Sequence, residues 1–477
     1  MEERLKNQIS FLYEQYKNDE YILNRLENYI NDLPNLLILQ KKNEVTRKER
    51  KERLINSQDK FIQNFLNNNL YFFSQASEIF FYYDKINYST VKEDTIIHKI
   101  LQLLNNESNL LDWKFKTKIS TIKSIKELSI INSIPENTTI QNVLKIFNNY
   151  FDSTDESKHF LTIIGDLIFK KQSNIYIISI HFKQILRLLE FSISTLITQC
   201  IITNHFKFKY HDQNYSDCRI LTVKDISSNN INFTEFNQNM LNIIVVACYY
   251  SNRFKNADYF LEQKCKEHEF SKKIFYLRDN TQKQIVDKFI ENKIILNNNS
   301  FISSKKIIYL WKLYIDEIGL PNILFNNTLK QLLKESLTYN EDNDQFINCT
   351  GIDLPLVQSF ISFWEKNIIE DNDEIYIEIE EIIYFFRKEN KNILIDNIFI
   401  KSLISHFFSE ISMENNFLYG ISFKYFSKRK IIDNYLELIK IKDELVNYHS
   451  FINFCNQYNY NVIGKQYFDQ YIKLLNY

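Results

Sequence analysis

Glycine occurs only five times and proline four times in 477 residues, and this shortage limits the possible folds more than any motif does. Phosphate-binding loops depend on glycine, because the backbone must bend tightly and approach its ligand closely. A P-loop follows G-x-x-x-x-G-K-[ST]. The one Gly-Lys pair here is Gly464 with Lys465, but Gln466 follows it and Asn459 occupies the first glycine position. A dinucleotide-binding Rossmann fingerprint fails for the same reason. With 44 % hydrophobic residues the chain can fill substantial cores, and its punctuation-poor sequence predicts a mainly α fold in long elements.

Lys and Arg number 58 against 59 Asp and Glu, so no global positive field draws the chain to nucleic acid, and any such contact must use a local patch. The skew toward Asn, Ile, Lys, Tyr and Phe matches A+T-rich coding and removes weight from a prion-like reading of the Asn runs. Cys200, Cys218, Cys248, Cys265, Cys349 and Cys455 are scattered without a C-x-x-C pair, which argues against a zinc ribbon or disulfide scaffold and suits a reducing compartment. The start, "MEERLKNQISFLYEQYKNDE", is charged and helical, unlike a secretory leader. The most apolar run, "IIVVACYY" (243–250), is shorter than the roughly 20 residues a membrane helix needs. The expectation is a soluble intracellular protein.

Residues 1–66 read as an N-terminal helical region, with Leu5, Ile9, Leu12, Tyr13 and Tyr16 on one stripe. Its basic run "KKNEVTRKERKER" (41–53) carries Arg47, Lys48 and Arg50 among Glu44, Glu49 and Glu52. Such a run suits an RNA-contacting helix or, more commonly, a solvated face laced with i,i+4 ion pairs. Residues 67–150 read as a β-hairpin over 70–91 followed by helices. Within them Trp113 and Phe115 stand among Lys114, Lys116, Lys118, Lys123 and Lys126. An aromatic among lysines can stack a base, although a core anchor with snorkelling lysines is the commoner arrangement.

Residues 151–300 read as a central helical domain. "STDESKHFLTIIGDLIFKK" opens with a capping box, Ser153 and Glu156, and places Phe160, Ile163, Ile164, Leu167 and Ile168 on one side. Lys170 and Lys171 suit the carbonyl end of its dipole. Gly165 is expected to let a neighbouring helix approach closely, at about 1 kcal/mol in helix propensity relative to Ala. The apolar segment 175–202 is expected to form the second helix of an antiparallel hairpin. "FKFKYHDQNYSDCRILTV" (206–223) alternates and predicts a β-hairpin.

The densest polar constellation is His205, His211, Asp212, Asp217, Cys218 and Arg219. These are ligand types, but their spacing matches no ligand pattern, and alternate hairpin residues face opposite sides. A structural or RNA-contacting hairpin is expected there, without metal. Cys248, between apolar neighbours, reads as a buried thiol, and no glycine elbow presents a nucleophile. No catalytic residue or cofactor is expected, and the chain reads as a non-enzyme. Residues 301–477, with "LPLVQSFISFWEKNI", the acidic "EDNDEIYIEIEE" and "FLYGISFKYFSKRKIIDNYL", predict a helical domain with a winged-helix-like module.

Three resemblances add to this reading. "IPENTTIQNVL" (134–144), "HFLTIIGDLIFKK" (159–171), "FKFKYHDQNYSDCRIL" (206–221), "VACYYSNRFKNADYFL" (246–261), "IIYLWKLYIDEIGLPNILFNNTLKQLL" (307–333) and "LPLVQSFISFWEKNI" (354–368) together resemble an uncharacterised protein family of giant nucleocytoplasmic DNA viruses. "FFSQASEIFFYYDKINYSTVKEDTIIHKIL" is similar to the region ahead of the ATPase in poxvirus-type primase-helicases, here without the ATPase. Phe160, Ile164, Gly165, Asp166, Leu167, Lys170, Lys171, Leu188 and Leu189 resemble a helical pair of the MIF4G domain, the HEAT-repeat middle domain of translation-initiation scaffolds. No Y-x-x-x-x-L-Φ cap-binding-protein motif accompanies them. The resemblances imply a HEAT-like helical scaffold in the host cytoplasm, within the viral factory, that binds RNA and partners such as an RNA helicase during viral gene expression. They also leave open a nucleic-acid-binding accessory of viral DNA replication, with replication proteins as partners, or a structural virion component. Trp113, Lys114, Lys116, Lys118, Lys123, Lys170, Lys171, Arg47, Lys48 and Arg50 are the candidate nucleic-acid contacts.

Overall fold

The computed structural model describes residues 1–210, 213–224, 233–391, 395–442, 446–461 and 463–475. Among them the fold is mainly helical with five sheets of two or three strands, as the sequence predicts. The chain divides into unit 1, Met1–Phe208 with Asp217–Tyr276, and unit 2, Lys209–Ser216 with Leu277–Tyr477.

Unit 1 opens with the helices Glu2–Gln15 and Glu20–Asn68. The second spans 49 residues, is capped by Asp19 accepting the Ile22 N–H at 3.1 Å, and buries only Gln58, Phe61, Ile62 and Phe65. The expected hairpin is the start of an antiparallel meander of Leu70–Ser74, Ile79–Tyr83 and Tyr88–Val91. Strand alternation splits its aromatic residues between two cores. Tyr71, Phe73 and Phe80 pack with Phe61 and Phe65 of the long helix and with Ile96, Ile100, Ile122 and Ile125 of the helices Glu93–Leu104 and Lys114–Lys126. Phe81, Tyr83 and Tyr88 face the larger core, built around the helices Thr154–Ile168 and Met240–Phe254.

The helix Thr154–Ile168 is buried on nearly every side, as a helix apolar around most of its circumference must be. Ser153 caps it by accepting the Glu156 N–H at 3.2 Å, and the Glu156 carboxylate reaches back to the Asp152 N–H at 3.0 Å. Its neighbour is Met240–Phe254, not the segment expected. Residues 175–202 begin with the strand Ile175–Ile178 and turn into a helix only at Lys183–Leu196. A short apolar run bounded by polar residues is compatible with a strand or a buried helix, and here burial in a parallel sheet decides. Ile175–Ile178 is the central strand of that sheet, with Phe206–Lys207 on one side and Cys218–Leu221 on the other, both parallel to it. The hairpin expected over 206–223 is therefore absent, because its strands pair with Ile175–Ile178 instead of with each other. Cys218–Leu221 is buried along its whole length, without the one-sided exposure of a hairpin.

In unit 2 the polar segment around "LNNNSFISS" lies in the strand Ile294–Ser303, paired antiparallel with Gln345–Gly351 and shifted in register between Leu296 and Phe301. Farther on, the order is helix Leu354–Asn367, strand Ile368–Glu370, strand Ile377–Glu378, helices Ile379–Glu389 and Asn397–Phe407, then strands Ser412–Glu414, Phe417–Tyr419 and Ile421–Phe423. The returning strands pair with both halves of the first, and Phe417–Tyr419 lies between Ile377–Glu378 and Ser412–Glu414. This is a winged-helix-like topology in which 371–376 interrupts the first strand. That insertion anchors the following helix, Lys428–Lys442. Arg429 pairs with Asp371 at 2.6 Å, Lys428 donates to the Tyr376 carbonyl at 2.7 Å and meets Glu381 at 3.0 Å, and Tyr467 donates to Glu374.

Candidate nucleic-acid interface

Two basic runs that are some sixty residues apart in sequence converge in unit 1. The last turns of the helix Glu20–Asn68 bury Phe61 and Phe65 in the same core as Ile122 and Ile125, so it lies against Lys114–Lys126. Polar contacts fix the alignment. Gln58 donates to Ser120 at 3.3 Å and to Thr117 at 3.5 Å, and Arg50 donates to Asp112 at 2.8 Å. The Asp112 carboxylate thus joins Arg50 to the turn that leads into the helix Lys114–Lys126.

The candidate residues in this region differ in how much charge they offer. Lys48 is paired with Glu44 at 2.9 Å, and in the same run Arg53 lies 3.7 Å from Glu49, so part of this helix is the ion-paired face that such runs commonly form. Among the described residues Arg47 makes no ion pair. On the other helix, Lys114 donates to Asn105. Lys116 holds its ammonium 3.9 Å above the Trp113 ring, and Lys118 holds its own 4.6 Å above Phe115. Trp113 is half-buried and Phe115 is 70 % exposed. Trp113 is therefore an anchor with a cation on its face, and Phe115 is the ring that solvent reaches. Lys123 is exposed on the same helix and forms no ion pair among the described residues. The helix Lys114–Lys126 thus offers ammonium donors and an exposed aromatic ring, the chemistry that holds a phosphate backbone and stacks a base.

Lys170 and Lys171 belong to a different part of unit 1. Lys170 is exposed at φ 55° just beyond the helix Thr154–Ile168. Lys171 donates to the carbonyls of Ser251 at 2.9 Å and Lys255 at 3.1 Å, which would otherwise be orphaned at the end of the helix Met240–Phe254. Its ammonium is committed to the fold.

The polar constellation is also structural where it is described. Arg219 clasps Asp258 with Nε to Oδ1 at 3.2 Å and Nη2 to Oδ2 at 2.8 Å, and donates to the Cys218 carbonyl at 2.9 Å. His205 Nδ1 lies 3.2 Å from the Asn174 carbonyl. Burial pushes the Cys218 thiol up to about 11 and the Cys248 thiol up to about 12, so neither is held as a thiolate. His211 and Asp212 lie outside the described residues. Among those described, no group of three or more His, Cys, Asp or Glu is placed to hold a metal ion.

Sequence reading missed a second basic feature of unit 1. Lys158, Arg253, Lys264 and Lys266 line a groove of about 480 Å³ together with Tyr250 and Phe254. Lys158 is paired there with Asp155 at 2.9 Å. No sequence window contains these cations together, because three separate parts of unit 1 supply them. The winged-helix-like module has the opposite charge: residues 354–426 hold twelve acidic against six basic side chains, a balance that disfavours a phosphate backbone. Among the described residues no helix is long and apolar enough to cross a membrane. Comparison of the chain with protein-family models and with curated proteins found no match.

Proposed function

We propose that the chain is a non-catalytic helical scaffold that holds single-stranded RNA on the face of unit 1 formed by residues 47–53 and 112–123, and presents its other surfaces to protein partners in viral gene expression. One contact carries this reading: the Arg50–Asp112 pair at 2.8 Å, which ties the basic run 47–53 to the segment that opens the helix Lys114–Lys126. A basic run alone is most often a solvated face. Two runs brought together, one of them carrying an exposed ring, make a surface on which a strand can be held by phosphate contacts and one stacked base. The viral setting, the cytoplasmic factory and an RNA helicase as partner rest on the family resemblances.

The test is binding of a labelled 20-nucleotide single-stranded RNA to the full chain across a salt series. Neutralising Lys114, Lys116 and Lys118 together is expected to weaken binding and to reduce the slope of log K against log salt by about 2, at roughly 0.7 per lost phosphate contact on a single strand. Unchanged affinity and slope would remove this surface from the proposal.

A second reading, an accessory of viral genome replication, rests on the primase-helicase resemblance, and one observation counts against the HEAT-like alternative. The central strand of a parallel sheet, Ile175–Ile178, leads through a short turn into the helix Lys183–Leu196, an arrangement foreign to a plain array of helical pairs. The turn residues Ser179, Ile180, His181 and Phe182 include no glycine, so this strand–turn–helix lacks a phosphate loop. Affinity purification from infected cells separates the readings: helicase and cap-binding factors support the first, and polymerase and clamp components alone support the second.

A further inference from the structure

The helix Glu20–Asn68 buries no residue before Gln58, although Ile22, Leu23 and Leu26 are half-buried, so most of its length lies outside the cores among the described residues. Its apolar residues are nevertheless ordered. Leu23, Leu26, Ile30, Leu33 and Leu37 follow one another at spacings of three, four, three and four, the a and d positions of a heptad. Ile22, Tyr29 and Leu36 fall on the adjoining g positions and widen the stripe. Tyr29 is 63 %, Leu33 49 % and Leu37 54 % exposed. Pro34 falls at position e, beside the seam instead of in it.

We propose that this seam is where a second copy of the chain docks, making the protein a dimer through its N-terminal arm. Three observations select that occupant. First, the apolar spacing averages 3.5 residues, which keeps a seam facing a like helix over its whole length, and identical helices in register supply matching a and d layers. Second, the segment 20–37 carries Glu20, Glu27 and Asp32 against Arg25 alone, so it lacks the basic face that lipid headgroups or nucleic acid require. Third, the exposed apolar side chains of 22–37, with Leu5, Ile9 and Leu12 of the preceding helix, offer on the order of 800 Å² per chain, the share one partner contributes to a standard interface. The part of this helix before Gln58, which contains Pro34 and contributes to no core, gains its tertiary support from that pairing. The proposal is independent of nucleic-acid binding, which uses residues beyond the seam.

Sedimentation equilibrium of the full chain at tens of micromolar tests it. The wild type is expected at twice the 57.7 kDa chain mass. Ile30→Asp with Leu37→Asp is expected to halve that mass while leaving the thermal unfolding of both units unchanged, since neither side chain is buried in a core. Asn28→Asp with Asn31→Asp, on the opposite face, is expected to keep the dimer. A wild type of single-chain mass, a seam variant that keeps the wild-type mass, or an outer-face variant that loses it would overturn the proposal.

Discussion

A Cβ placed on Gly165 would stand 2.2 Å from the carbonyl oxygen of Ala247, inside the backbone of the neighbouring helix. The same atom would come within 2.7 Å of Ser251 Cβ. The helices Thr154–Ile168 and Met240–Phe254 therefore meet backbone to backbone at this point, and the next residue seals the contact. Asp166 accepts the Ser251 hydroxyl at 2.6 Å and the Ala257 N–H at 2.7 Å.

Replacing Gly165 by Ala gains about 1 kcal/mol in helix propensity but drives a methyl into a carbonyl that a rotamer change cannot move aside. We expect a net destabilisation of about 2 kcal/mol, within the range for overpacked cores, measured by chemical denaturation. Adding Ser251→Gly removes only the lesser clash and also the hydroxyl that Asp166 accepts, so no recovery is expected. A Gly165→Ala protein as stable as the wild type would refute the close approach.

Two buried groups in this core titrate in opposite directions. His159 is 1 % exposed, both ring nitrogens lack a hydrogen-bond partner, and burial drives its pKa down to about 3. Below an unfolded value near 6.5 the unfolded chain binds a proton that the folded chain refuses, so this contribution to stability is lost as pH falls. Burial raises Asp166 to about 6 despite its two hydrogen bonds, so below that pH the folded chain binds the extra proton and stability is gained. Between pH 6 and 4 the two slopes oppose each other. His159→Phe is expected to gain stability relative to the wild type by about 1.4 kcal/mol per pH unit over that range, and Asp166→Asn to lose it at a similar rate. Parallel pH profiles for wild type and His159→Phe would contradict the assignment.

Lys171 and the Lys114–Lys118 surface should separate cleanly. Because its ammonium caps carbonyls of Ser251 and Lys255, Lys171→Met is expected to cost about 1 kcal/mol of stability and to leave the salt dependence of RNA binding unaltered. Neutralising Lys116 and Lys118 is expected to do the reverse, since each ammonium rests only on an aromatic face. A lowered salt slope for Lys171→Met would place it in the interface.

The Arg219–Asp258 pair is enclosed, with side chains 6 % and 20 % exposed. Arg219→Met leaves an uncompensated carboxylate and is expected to cost about 3–5 kcal/mol. Asp258→Asn, introduced second, should recover part of that loss by removing the stranded charge. Additive losses in this double-mutant cycle would show that the two side chains act independently.

Local sequence was sufficient where a feature depends on a few neighbouring residues. The Ser153 cap and the β character of the aromatic segment from Leu70 were legible from propensity and period, but the third strand, Tyr88–Val91, and the strands that alternate with the helices after Leu354 were not, because strands of two to four residues are too short to show a period. The segment 175–202 misled because Ile175–Ile178 is apolar on both faces, and such a run carries no periodicity to separate strand from helix. The basic surface was half visible: both runs could be read, but not the Asp112 contact that joins them, nor that Lys171 is spent on carbonyls at Ser251 and Lys255.

The sequence by itself determined that this chain is mainly helical and has no glycine loop for phosphate, because helix period and the need for a Cβ-free turn are properties of short segments. Only the tertiary structure decided which helix Gly165 faces, which strands flank Ile175–Ile178, and which lysines remain available. Those outcomes depend on contacts between residues 30 to 91 positions apart, for example Tyr176 with Phe206, Arg219 with Asp258 and Asp166 with Ala257, and burial energies that accumulate over whole elements select them.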